Sequence, residues 1–145
     1  MPRRFAYKAP PAAIPAPVDR LARVGRIVVE GRCPGGVVAP VALDPAKYTT
    51  PVLARELAQA WAERFAGDAQ PSLATMYRHK SAVVDLLEYC SRVGAPVELS
   101  CRGLTATLLD DWQDDVAGRQ PGQSHVAGQN AGIVFALLRR VSAVR

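Results

Sequence analysis

From Thr49 onward, apolar residues return at intervals of three and four, the period of a helix with one buried face. Leu53, Leu57, Trp61 and Phe65 repeat every four residues after Thr50 and Pro51, a capping residue followed by a proline suited to the first helical position. Gly67 and Pro71 punctuate the end of this first predicted helix. The second runs from Ser72 or Leu73 to Val93, with Met76, His79, Val83, Leu86, Leu87 and Cys90 on one side, and stops at Gly94 and Pro96. In the third, Thr105 is the expected cap, Leu104 and Leu109 form a hydrophobic staple, and Leu108, Leu109, Trp112 and Val116 make the stripe. After the loop AGRQPGQ, Ser124 caps a fourth helix whose buried side is Ile133, Val134, Leu137, Leu138 and Val141.

The first 48 residues have a different pattern. Met1 to Pro17 is rich in Pro and Ala without an apolar period and reads as a flexible arm. RIVVEGRCPGGVVAPVAL holds two β-branched runs around a Pro-Gly-Gly turn, the pattern of a short hairpin, with Pro40 confining the second run to an edge. The expected organisation is therefore a basic arm with a small hairpin over 1–48, and an all-α four-helix domain over 49–145.

Charge sharpens this division. The chain of 145 residues carries a formal net charge of +5. Residues 1–48 hold eight basic and three acidic residues, whereas residues 49–145 hold ten of each. The global excess thus favours an acidic partner for the N-terminal part alone, and any contact face on the helices must be local. The length fits one domain, and with 49% hydrophobic but only 6% aromatic residues the core must be built mostly from Ala, Val and Leu. No apolar run approaches the roughly 18 residues of a membrane span, and the N-terminus lacks the apolar segment of a signal peptide. Three cysteines, Cys33, Cys90 and Cys101, show no C-x-x-C spacing and read as free thiols in a reducing, cytoplasmic setting.

Several residues suggest chemistry. Arg78, His79 and Lys80 follow Ser72 and Thr75 at a capped helix start, where free N–H groups and the helix dipole favour phosphate. Arg78 is expected to point away from the core, Lys80 to sit at the edge of the stripe, and His79 to pack in the core. The alternative for both cations is a solvated face, with Lys80 snorkelling. Gln123, Ser124, His125, Gln129 and Asn130 surround the first turns of the fourth helix. Asn and Gln amides can read base edges, and Ser can bind phosphate. Gly128 and Gly132 leave one face smooth for close approach to a backbone. Asp110, Asp111, Asp114 and Asp115 match neither a calcium loop nor a zinc site and read as a solvated acidic face. No phosphate-binding loop, dinucleotide fingerprint or nucleophile elbow occurs, and no cofactor is expected.

The segment from Thr49 to about Arg145 resembles the core-binding, or SAM-like, domain of tyrosine recombinases of the phage-integrase family. Thr75, His79, Val83, Leu86 to Tyr89 and Gly94 carry the likeness in the second helix. Leu104 and Thr105 open the next, and a Gly-rich loop leads into a Ser-capped helix ending in Leu137 and Leu138. His79 stands where the family has an aromatic residue, and Ala127 and Asn130 stand where it often has Thr and Arg. The resemblance implies a module that clamps one side of a recombination half-site on double-stranded DNA, alongside other protomers. The implied contacts are Ser72, Thr75, Arg78, Lys80, Gln123, Ser124, His125, Gln129, Asn130 and Arg139. The family's chemistry needs two Arg, a Lys, a His-x-x-Arg box and a Tyr nucleophile. His79 is followed by Lys-Ser-Ala and His125 by Val-Ala-Gly, so no catalysis is expected of this chain. Two other readings remain open: a helical protein-interaction module without DNA binding, and a helix-turn-helix regulator, for which the loop before the fourth helix is long.

Overall fold

The computed structural model describes residues 26–33, 35, 38–65, 72–119, 122 and 125–144. The arm over residues 1–17, Gln123 and Ser124 lie outside them. The described residues form an antiparallel hairpin, β1 (Ile27–Arg32) and β2 (Val38–Leu43), and then four helices. These are α1 (Pro51–Arg64), α2 (Leu73–Arg92), α3 (Ala106–Arg119) and α4 (His125–Val144). The fold is mostly helical, and among the described residues no helix is long and apolar enough to cross a membrane.

Period-two alternation sets the hairpin's inner face. Ile27 faces Leu43, Val29 faces Val41 and Gly31 faces Ala39, while Glu30 and Pro40 pair on the exposed side. Among the described residues the sheet has only two strands, so each has an open edge and the proline is tolerated. Val41 and Leu43 are buried in the same core as Leu53, Leu57, Trp61, Met76, Leu86, Leu87, Trp112 and Leu137. The hairpin is thus a lid on the helical core, packed on α1 and α2. Gly31 makes the approach feasible: a Cβ there would lie 2.6 Å from Met76 Sδ and 3.1 Å from Leu73 Cα.

Among the described residues three of the expected helix ends are found, and one is built differently. α3 runs on through Ala117, Gly118 and Arg119, the first residues of the expected loop AGRQPGQ, where Arg119 donates back to Asp115 one turn earlier. Ser72 caps α2, its Oγ accepting from the Thr75 N–H at 3.1 Å. Thr105 caps α3 through the Leu108 N–H, and Leu104 and Leu109 both join the core as the staple requires. α2 ends in a Schellman motif: Gly94 at φ 70° donates to Ser91 O, and Ala95 donates to Cys90 O. Thr50, by contrast, does not cap α1 with its side chain. The Leu53 N–H it would satisfy is taken by Leu99 O at 3.1 Å, and Thr50 is fully buried, its Oγ1 without a protein partner among the described residues. The same 93–105 connection is pinned by the Cys101 N–H donating to Glu56 Oε1 at 2.8 Å.

α4 packs on α1, α2 and α3, and ion pairs tie α2 to α3. Arg92 and Arg119 both donate to Asp115, and Arg119 also reaches Asp85. Exposed pairs of this kind contribute about 0–1 kcal/mol each. Asp110, Asp111 and Asp114 face solvent, as expected, whereas Asp115 is half-buried in this network.

Candidate nucleic-acid interface

Adjacent residues on a helix diverge by about 100°, and this geometry decides the fate of the basic triplet on α2. Arg78 turns toward α4. Its Nη1 donates to Asn130 Oδ1 at 2.7 Å and its Nη2 to Gln129 Oε1 at 2.9 Å. A guanidinium only donates, so both amides must present their oxygens to it. His79 turns toward the end of α1, where its ring meets Phe65 edge-on at 5.1 Å. It sits half-buried at the margin of the core, not inside it, and burial, then the neighbouring Arg64 and Arg78, lower its pKa. Lys80 turns to the hairpin side, where burial and then Lys47 lower its pKa. Arg78 and Lys80 lie about 200° apart on the helix and do not form one patch.

Around Arg78 the structure does assemble part of the expected set. Ser72 and Thr75 are exposed in the first turn of α2, and Ser72 Oγ also donates to Thr75 Oγ1 at 2.9 Å. The Thr75 hydroxyl proton is then free to point outward. His125 and Gln129 are exposed on the first turns of α4, next to the Arg78 guanidinium through Gln129. Two helix starts therefore share a polar, cationic surface made of Ser72, Thr75, Arg78, His125 and Gln129. Asn130 departs from the expectation: it is only 6% exposed, and its oxygen is held by Arg78. Its place is inside the α2–α4 contact, where it cannot reach a base edge. Arg139 is exposed but lies ten residues farther along α4, about 15 Å away at 1.5 Å per residue. Gly128 and Gly132 face open space, so the smooth strip on α4 exists and no neighbouring side chain among the described residues fills it.

A second cationic site escaped the sequence reading. A cleft of about 180 Å³ lies between the hairpin's open end and α2, lined by Arg26, Ala42, Leu43, Asp44, Lys47, Tyr48 and Lys80. Arg26 precedes β1 and Lys47 follows β2, and antiparallel pairing brings the ends of the two strands together. Basic residues flanking both runs of a predicted hairpin were the available signal.

Cys90 is buried, and desolvation pushes its thiol pKa to about 11, so it holds little thiolate near neutrality. Among the described residues, no group of three or more His, Cys, Asp or Glu side chains could hold a metal ion. No protein-family model, curated protein or solved structure matches the chain.

Proposed function

We propose that the chain is a DNA-binding module, of the core-binding type that serves site-specific tyrosine recombinases, contributing duplex binding and no strand chemistry of its own. The observation that supports it is the shared surface at the starts of α2 and α4, where Thr75, Arg78, His125 and Gln129 converge from two helices. In this reading Arg78 and the hydroxyls contact phosphate, Gln129 faces the groove, and the basic residues before Thr49 add non-specific attraction. The acidic positions Asp110, Asp111 and Asp114 on α3 face away from the duplex. Binding by this module alone falls in the non-specific range, about 10⁻⁴–10⁻⁶ M at physiological salt.

One observation favours the alternative, a helical protein-interaction module. Arg78 already spends two donors on Asn130 and Gln129, leaving less for a phosphate. Fluorescence anisotropy with a 20-base-pair duplex, titrated from 50 to 200 mM salt, separates the two. DNA binding predicts a linear fall of log affinity with log salt. The fall should shrink by roughly 0.9 for each phosphate contact removed, as in Arg78→Met. Replacing Arg3, Arg4 and Lys8 in parallel measures the arm's share. Absence of duplex binding at 50 mM salt would overturn the proposal.

A further inference from the structure

The geometry points to an oxyanion site, for a phosphate group, in the cleft between the hairpin and α2, with Arg26, Lys47 and Lys80 as its cations and Tyr48 as a hydroxyl donor. This site is separate from the Arg78 surface and does not depend on the chain binding duplex DNA.

Three elements supply the cations: the residue before β1, the 3-10 turn Pro45–Lys47 after β2, and the second turn of α2. Like charges repel, so a fold that gathers three of them gains from an anion between them. None of the three forms an ion pair among the described residues, where the ion pairs involve Arg92 and Arg119 alone. Lys80 is half-buried, and desolvation with Lys47 nearby disfavours its charge; a paired anion would offset both effects. Asp44 is the carboxylate of the cleft, and its Oδ1 is engaged by the Ala46 N–H at 3.1 Å. Burial, then Glu88 and Asp44, raise the pKa of Tyr48, so its phenol stays protonated and able to donate. The cleft, near 180 Å³, leaves room for a phosphate group with part of its hydration shell.

The test titrates inorganic phosphate into the full-length chain, with sodium chloride at matched ionic strength as control, and follows backbone amide shifts by NMR. The expected result is a saturable change centred on Lys47, Tyr48 and Lys80 that chloride does not reproduce. Lys47→Gln and Lys80→Met each weaken phosphate binding by about tenfold or more, the factor expected for one charge-assisted bond. Asp44→Asn keeps the acceptor for the Ala46 N–H, removes the repelling charge and tightens binding. That gain guards against reading a folding defect as lost affinity. Absence of saturable shifts, or parent-like binding by Lys47→Gln and Lys80→Met, overturns the site. A 20-base-pair duplex added to the phosphate-loaded chain identifies the source. Displacement assigns the site to a nucleic-acid phosphodiester, and binding without displacement assigns it to a small phosphorylated ligand. If phosphate binds and duplex does not, this site stands and the DNA proposal falls. If duplex binds and phosphate does not, the outcome is reversed.

Discussion

The Arg78–Asn130 contact is the pivot between structure and proposed function, and a double-mutant cycle measures it. Arg78→Met keeps much of the apolar stem and removes the guanidinium; Asn130→Ala removes the acceptor. The bond is short, 2.7 Å, charge-assisted and part-buried, and Asn130 is 6% exposed. A hydrogen bond to a charged group contributes about 1.5–3 kcal/mol, and leaving the buried amide unpaired costs about 1–3 kcal/mol. Each single variant should therefore lose roughly 1.5–3 kcal/mol, and the pair less than the sum, with a coupling energy of about 1.5 kcal/mol. The companion bond from Arg78 to Gln129 is exposed and adds about 0.5 kcal/mol at most. For a unit of this size, 1 kcal/mol corresponds to about 4 °C in Tm, so urea and thermal unfolding both resolve the effect. Coupling below about 0.5 kcal/mol, within ordinary additivity, would refute the clamp. Arg78 would then be a surface cation at liberty to serve phosphate alone.

Three further outcomes follow from particular contacts. Gly31→Ala drives a methyl into Met76 Sδ and the Leu73 backbone, and should cost about 1–3 kcal/mol in unfolding experiments; a neutral result would mean that the hairpin does not sit on α2. Thr50→Val removes a buried hydroxyl that caps nothing, so urea unfolding should show unchanged or higher stability. A loss of about 1 kcal/mol or more would restore Thr50 as a cap. His79 has a folded pKa below its unfolded value, so the unfolded chain binds more protons between the two. Its contribution is full above about pH 6.5 and is lost as pH falls toward the folded pKa. Tm measured from pH 7.5 to 5 should accordingly drop less for His79→Phe than for the parent.

The sequence by itself determined the helices, the hairpin and the helix ends at Ser72, Gly94 and Thr105, because those depend on local chemistry. The four-residue repeat of Leu53, Leu57 and Trp61, the Ser72 and Thr105 caps and the left-handed Gly94 are decided within one or two turns of chain. The sequence also placed Thr75, Arg78 and Gln129 on helix starts. What it left open was which element stands opposite each residue. Thr50 lost its capping role to Leu99, a carbonyl 49 residues away in the chain. Asn130, polar and on an early turn, is buried because Arg78 of another helix meets it there. Arg78 and Lys80, neighbours in sequence, serve opposite sides of α2, and Lys80 meets Lys47 and Arg26 only because the hairpin folds back over the helices. Periodicity fixes which face of a helix is apolar, but the partner of each polar group is set by packing between distant segments, and tertiary structure alone decides it.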